Sequence, residues 1–328
     1  MDGLDFARNV LGVCAAAALL ADCGGSQPQI RGPGTTPQDA VFLPLPPVSS
    51  HNLRSKSRMP RKEKNEDLLY VTGNSNNTVS IYDLDTPGFP EVAAITDEVS
   101  SPGGVAVDRH GSVYVANETG TVTIYPPGKT SPSLTLSKDL EAPQSVTVDA
   151  NDNVYVCSRG SYPSIVVYPP GESTPSAVIT DALIQSPNQI QFDATGNLYY
   201  ADSDAGVSEM LAGSQNMTSL HLHGLQSLRG LALDKYGNLY VGTYGNHLDG
   251  AREYLYGDQK PVRTLRDSEG SDLYASGVVK HQQYIFLPDS YNDTVRAFKP
   301  DARIPEFVIN TASAESSVGV AFKPAGVP

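Results

Sequence analysis

One short pattern comes round six times in this chain, and it limits the fold more than any other feature. A strand-like triplet carrying an aromatic residue occurs as Leu69-Tyr70-Val71, Val113-Tyr114-Val115, Val154-Tyr155-Val156, Leu198-Tyr199-Tyr200, Leu239-Tyr240-Val241 and Tyr284-Ile285-Phe286. With Tyr70, Tyr114, Tyr155, Tyr199, Tyr240 and Tyr284 as markers, the spacings are 44, 41, 44, 41 and 44 residues. Self-similarity at a fixed period of this length marks a repeat architecture, in which each unit buries its apolar surface against its neighbours.

A second marker keeps the same period. Tyr82, Tyr125, Tyr168, Met210, Tyr254 and Phe298 each end a short run such as Val122-Thr123-Ile124-Tyr125. Two of these runs lead into Tyr-Pro-Pro-Gly, at Tyr125 and at Tyr168, and two prolines followed by glycine cannot continue a central strand. Beyond the turn comes a third run, as in Ser133-Leu134-Thr135-Leu136 or Ala177-Val178-Ile179-Thr180. Ahead of each tyrosine triplet stands a segment that is almost all apolar or small: GVAVD (104–108), SVTVD (145–149), QIQFD (189–193) and GLALD (230–234). Such a run is expected of a strand covered on both faces. Four strands per unit at a period of about 43 residues predict an all-β, six-bladed β-propeller over residues 67–328.

The two ends fit a closed ring. The chain enters the repeats at Leu68 with a second strand and no first, and leaves with Gly319-Val320-Ala321-Phe322, a first strand with no second. Joining the C-terminal strand to the N-terminal blade removes two exposed edges at once.

The stretch SPGGVAVDRHGSVYVANETGTVTIY (101–125) resembles an NHL repeat, whose pattern runs P-x-G-V-A-V-D-x-x-G-N-x-Y-V-A-D before a strand ending in an aromatic. The resemblance covers all six units. It is strongest in those starting at Gly104, Ser145, Gln189 and Gly230, and weaker at Gly277 to Lys280 and Gly319 to Lys323, where the aspartate is lost. NHL-like propellers include modules that bind proteins, peptides or RNA, and relatives that are lactonases or lyases, so the resemblance implies a fold and leaves the function open.

Asp108, Arg109 and His110 stand side by side and invite an acid/base reading, but the copies argue otherwise. Asp108-Arg109-His110-Gly111-Ser112 aligns with Asp149-Ala150-Asn151-Asp152-Asn153, Asp193-Ala194-Thr195-Gly196-Asn197 and Asp234-Lys235-Tyr236-Gly237-Asn238. What persists is the aspartate, together with a glycine or its stand-in Asp152. That is turn chemistry: the carboxylate accepts backbone N–H bonds and the later residue takes a positive φ. His110 is expected to be a solvated turn residue.

Functional groups are therefore sought where the blades differ, in the loops at one mouth of the central channel. Segments entering the inner strands and those joining second to third strands supply the candidate binding residues Asn74, Asn117, Glu118, Gln144, Arg159, Asn188, Asp202, Asp204, Arg229, Tyr244, His247 and Asp289. Arg159 and Arg229, with Asn188 and Gln144, suit a carboxylate or a carbonyl-rich peptide, because guanidinium forks bind planar anions. Glu118, Asp202, Asp204 and Asp289 are the hard oxygen donors that calcium or magnesium prefers, although DSDAG (202–206) lacks the closing glutamate of a calcium loop. No resident metal or other cofactor is expected. His221-Leu222-His223 has zinc-compatible spacing without a third ligand nearby, and the pair is expected on an exposed outer strand. There is no Gly-x-Ser-x-Gly, and Cys157, just after a tyrosine strand, is expected to be buried and unreactive.

Residues Asn9 to Ala21, NVLGVCAAAALLA, form an apolar run too short to span a bilayer, and the following Leu20-Ala21-Asp22-Cys23 resembles the lipobox of bacterial lipoproteins. In that family the cysteine, here Cys23, is lipidated and becomes the mature N-terminus. Asp22 stands where a small residue is usual, and Arg8 is the one basic residue before the run, so a plain secretory signal and no export stay open. The reading is an export signal over 1–23, a tether over 24–66 and a cell-envelope lipoprotein on the periplasmic or outer-membrane face, or otherwise a secreted protein. The tether mixes Gly, Pro, Ser and charge without a period, too polar to order itself, and its basic cluster from Arg54 to Lys64 reads as a solvated linker end. Of three cysteines, Cys14, Cys23 and Cys157, the last is then the one free thiol, which leaves no disulfide framework.

A formal charge of −13 repels phosphate backbones and anionic headgroups, which argues against nucleic acid and limits membrane contact to the anchor. The expected function is a monomeric binding or scaffolding propeller for a protein, peptide or small-molecule ligand. The alternative is a metal-dependent lactonase or a streptogramin-type lyase, which needs acids or histidines converging at the mouth; His247 is the histidine available there.

Overall fold

The computed structural model describes residues 67–322 apart from 215, 244–249, 268–272, 274, 312, 313 and 315. The proposed signal and tether, with Cys23, and the loop holding Tyr244 and His247 lie outside the described residues. Twenty-four strands and no helix are found among those described.

The first blade contains β1 (Leu68–Gly73), β2 (Thr78–Asp83) and β3 (Glu91–Ile95); the second β4 (Pro102–Val107), β5 (Val113–Asn117), β6 (Thr121–Tyr125) and β7 (Leu134–Leu136). The third is β8 (Ala142–Val148), β9 (Val154–Arg159), β10 (Ser164–Tyr168) and β11 (Ala177–Ile179), and the fourth β12 (Pro187–Phe192), β13 (Leu198–Asp202), β14 (Gly206–Met210) and β15 (Met217–Ser219). The fifth is β16 (Leu228–Leu233), β17 (Leu239–Thr243), β18 (Gly250–Tyr254) and β19 (Arg263–Leu265), and the sixth β20 (Val279–His281), β21 (Tyr284–Asp289), β22 (Thr294–Phe298) and β23 (Phe307–Asn310). β24 (Ser317–Phe322) pairs antiparallel with β1, Tyr70 opposite Ala321 and Val71 opposite Val320, and completes the first sheet in the order β24-β1-β2-β3. The fold is a six-bladed β-propeller closed by its last strand.

Alternation explains how six sheets share one ring. On β5, Val113 and Val115 pack with Tyr70, Val79 and Ile81 of the first blade, whereas Tyr114 and Ala116 pack with Val146, Val156 and Tyr168 of the third. A strand with period-2 side chains thus feeds a different core on each face, and each of the six cores lies between two neighbouring blades. The second strands are sealed throughout, as in β1, β5, β13 and β17. The first strands of the second and fourth blades are not, against expectation: Ala106, Val107, Gln191 and Phe192 are half-buried, because the inner strand is an edge strand and borders the channel, whereas Gly230 to Leu233 of β16 are buried as expected.

The sixth repeat is phased differently from its sequence marker. Ile285 pairs with Phe298 as Val113 pairs with Tyr125, so Phe286, not Tyr284, is the counterpart of Tyr114. Several third-strand aromatics carry a further duty. The hydroxyl of Tyr125 donates to the Asp97 carbonyl at 2.6 Å, that of Tyr254 to the His223 carbonyl at 2.8 Å, and that of Tyr168 to the Lys138 carbonyl. Each tyrosine is latched to the crossover from the preceding blade.

The repeated aspartates form turns. Asp108 Oδ1 accepts from the N–H groups of His110 and Ser112, both at 2.8 Å, and Asp149, Asp193 and Asp234 repeat the pair of bonds. Asp152 fills the glycine position of its turn at φ 64°. His110 is exposed, yet it and Arg109 are not idle: Arg109 meets Asp152 of the next blade at 2.7 Å, with His110 at 3.4 Å.

Around the axis, the first residue of each inner-strand segment is Gly104, Ser145, Gln189, Gly230, Gly277 or Gly319. A Cβ on Gly319 would lie 2.5 Å from the Gly103 carbonyl oxygen, and one on Gly230 would lie 2.6 Å from Gly277 Cα. Glycine here permits adjacent inner strands to touch. Gln189 uses the room left by Gly230: its Oε1 accepts from Leu231 N–H at 3.0 Å and its Nε2 donates to the Val278 carbonyl at 3.1 Å, tying three blades together. Gly319→Ala forces β24 away from β4, and we expect a loss of about 1–3 kcal/mol in urea unfolding with an unchanged m-value.

Candidate functional site

The channel mouth is built from two residues per blade whose positions follow from strand register. Just before the inner-strand segments stand Gly103, Gln144, Asn188, Arg229, Ser276 and Val318. Pairing between second and third strands stops at Gly73, Asn117, Ser158, Asp202, Thr243 and Asp289, and the next residue in each described blade stands at the mouth: Asn74, Glu118, Arg159, Ser203 and Ser290.

The strand-end residues turn inward and hold the loops. Asn117 Oδ1 accepts from Ser100 N–H at 3.0 Å, and Ser158 Oγ from Glu141 N–H at 3.0 Å. Asp202 Oδ2 accepts from the N–H groups of Gln185 and Ser186 at 2.8 and 2.7 Å and from the Tyr200 hydroxyl at 2.6 Å, while Oδ1 takes Asp204 and Ala205 N–H, both at 2.9 Å. Asp289 Oδ2 accepts from Asn292 Nδ2 at 2.8 Å and pairs with Arg296 at 3.1 Å. Asn117, Asp202 and Asp289 are fully buried. These three candidates for ligand binding are each engaged by the loop they anchor. Asp204 is exposed and is not among the residues lining the cavity.

Six of the candidates do come together. Asn74, Glu118, Gln144, Arg159, Asn188 and Arg229 line one cavity of about 520 Å³, with Ala275, Ser276, Ser290, Tyr291, Ser316 and Val318. A second space of about 210 Å³, bordered by Gln189 and the inner-strand glycines, occupies the channel. Asn188 organises one wall: its Nδ2 donates to the Leu228 carbonyl and to Ser203 Oγ, both at 2.7 Å, and its Oδ1 accepts from Arg159. Asn74 Nδ2 reaches the Pro102 carbonyl at 3.2 Å and Gln144 Nε2 the Ala142 carbonyl at 3.2 Å, so both amides are positioned by backbone.

The charge in the cavity comes from Glu118, Arg159 and Arg229. Burial pushes the Glu118 carboxyl above its usual range, opposed by the fields of Arg159 and Arg229. Neither Glu118 nor Arg159 makes an ion pair among the described residues. Asp202 behaves in the opposite way: burial alone would raise it, but the Tyr200 hydroxyl and the Ala205, Gln185 and Asp204 amides outweigh burial and hold it below the usual range.

The set of hard oxygen donors does not converge. Of Glu118, Asp202, Asp204 and Asp289, Glu118 alone lines the cavity, and no group of three or more His, Cys, Asp or Glu is poised to hold a metal among the described residues. His221 and His223 are exposed, but they lie beyond β15 and not on it. Cys157 is fully buried, and burial pushes its thiol up to about 12.

Ser290 and Tyr291 escaped the sequence reading because the sixth repeat was phased on Tyr284, which put its loop at Pro288-Asp289. Phasing on Phe286 would have found them, since Ser290 then falls on the position of Glu118 and Arg159. Ser276, Val318 and Ser316 stand in or beside loops that were identified, but nothing in their chemistry singled them out.

No family model matches the sequence, and no curated protein matches it. Solved structures do. A chain in a crystal structure of a nidogen/laminin complex superposes with a TM-score of 0.67 at 17% identity, over 79% of this chain and 99% of that one. A protein of unknown function from Bacteroides caccae gives 0.61 at 13%, over 78% and 98%. The likeness is one of fold. At such identities it assigns no residue a role.

The loop anchors generate a prediction about acid stability. A carboxyl held low in the folded state contributes stability above its unfolded value of about 3.9, and that contribution is lost as pH falls through the lowered folded value. Asp202→Asn keeps the shape but gives up the charge-assisted bonds, so we expect it to cost about 2–3 kcal/mol at pH 7 and to flatten the loss of stability below pH ~4 in urea titrations.

Proposed function

We propose that this chain is an extracytoplasmic binding or scaffolding propeller of the NHL type, anchored to the cell envelope by a lipid on Cys23 and carried on the 24–66 segment. The observation that carries the binding part is the mouth: twelve residues line a cavity of about 520 Å³, and three of its polar side chains, Asn74, Gln144 and Asn188, are positioned by hydrogen bonds to backbone carbonyls. A volume of several hundred Å³ with a few oriented polar groups is typical of a ligand site. Glu118 is the sole carboxylate among the described residues lining the cavity, which favours binding over a lactonase or lyase built on converging acids. The structural neighbour described as a nidogen/laminin complex belongs to a protein–protein assembly, which supports the scaffolding side of the reading. A formal net charge of −13 disfavours nucleic acid as the partner.

Two experiments test the two halves. In a bacterial host, radiolabelled palmitate is expected to mark the full chain and to be lost in Cys23→Ala; an unlabelled wild-type chain would remove the anchor from the proposal. A photo-crosslinking amino acid placed at Tyr291, on the mouth, is expected to capture a partner or a ligand-mass adduct in cells, while the same probe at Tyr236, in the turn between β16 and β17 at the other end of the blade, captures none. Adducts from Tyr236 alone, or from neither position, would count against a working mouth.

A further inference from the structure

We propose that the mouth cavity receives a small zwitterion, an amino acid or short peptide with both termini free, whose carboxylate docks on Arg159 beside Arg229 and whose ammonium faces Glu118. This rests on the mouth-binding reading and adds the chemistry of the ligand.

Arg159 is the first support. It is half-buried, its Nη2 donates to the neutral Oδ1 of Asn188, and its Nε is buried without a hydrogen-bond partner. A guanidinium drawn out of water ordinarily acquires a carboxylate, to which it can donate through two parallel N–H groups. Three other arginines have theirs: Arg296 has both Asp267 and Asp289, Arg263 has Glu253, and even the exposed Arg109 has Asp152, whereas Arg252, packed on the outer side of its blade away from the mouth, has none among the described residues. Arg159 has no paired carboxylate among the described residues, and its buried Nε is one donor that a ligand oxygen would satisfy.

Glu118 is the second. It lines the same cavity and senses both arginines, yet it makes no ion pair with either among the described residues. Opposite charges that face one cavity without meeting leave a gap with a positive and a negative wall. A molecule carrying an anion at one end and a cation at the other neutralises both walls, whereas a simple anion leaves the half-buried Glu118 uncompensated.

Size and shape give the third. Beneath the mouth neighbouring inner strands touch at their glycines, and Gln189 ties its own strand to those of the next two blades. A cavity of about 520 Å³ suits a short ligand. Small residues on the other wall, Ala275, Ser276, Ser290 and Ser316, leave room for the body of the ligand, and the exposed ring of Tyr291 stands at the rim.

The test is calorimetric titration of the intact protein with alanine, dialanine and trialanine, and with the two capped forms of whichever binds: the C-terminal amide and the N-acetyl derivative. We expect binding of a free form, and a loss of about tenfold or more for the amide, the scale of a lost charge-assisted pair. In Arg159→Gln the free and amidated forms bind equally. In Glu118→Gln the free and acetylated forms bind equally. Arg159→Lys keeps the preference for a carboxylate at reduced affinity, and a wild-type far-UV circular dichroism spectrum at the titration temperature in all three variants separates lost recognition from lost folding. The inference is overturned if the amide binds as well as the free form, if the preference survives Arg159→Gln, or if inorganic phosphate binds as tightly as the peptides. It also falls, with the mouth-binding reading intact, if none of the alanine series binds while Tyr291 still crosslinks in cells. If Tyr291 captures nothing either, both readings fall.

Discussion

No blade of this protein can bury its own side chains. Each sheet is apolar on both faces, so every core lies between two blades, and a blade at an open end would leave one face in water. Non-directional burial thus becomes a closed architecture: the energy that folds one blade is delivered by the next, and the last delivery is made when β24 pairs with β1 and sets Val320 and Phe322 into the core between the sixth blade and the first. The axis obeys the same demand for contact. Inner strands approach until backbone meets backbone, which is why glycine holds four of six positions in that ring and why Gln189 can hydrogen-bond to strands of two other blades.

With the ring fixed by burial, the loops at the mouth are free to differ, and the structure divides their polar residues into two kinds by one position in register. The last residue of a second strand to pair with the third points back and binds the backbone of the entering segment, as Asn117, Ser158 and Asp202 do. The next residue opens onto the cavity, as Glu118 and Arg159 do. A single step along the chain separates a polar side chain committed to folding from one that lines the cavity.

Much of this was legible in the sequence because it is periodic. The tyrosine spacing, the Asp-x-x-Gly turns and the orphan strands at the two ends each recur or complement one another, and together they specified six blades and the closure. Phase was harder. In the sixth repeat Tyr284 imitates the marker that Phe286 occupies, and the shift of two residues hid Ser290 and Tyr291. At the mouth, Asp202, Asp289 and Glu118 are equivalent as letters; which of them faces water depends on whether backbone amides converge on the carboxylate, and that is a property of two loops meeting in space. The inner strands misled for a related reason, since an all-apolar run fits an edge bordering a narrow channel as well as it fits a strand sealed on both faces.

The joints between blades are not alike. Tyrosine hydroxyls latch the first blade to the second, the second to the third and the fourth to the fifth, through Asp97, Lys138 and His223. Between the third and fourth blades the corresponding residue is Met210, which has no hydroxyl to give, and the core there is soft, with Cys157, Met210 and Met217 among its members. This joint is fastened at the mouth instead, by Arg159 on Asn188. The same guanidinium therefore belongs to a joint between blades as well as to the cavity, so the third and fourth blades meet at the mouth on a side chain that also lines it.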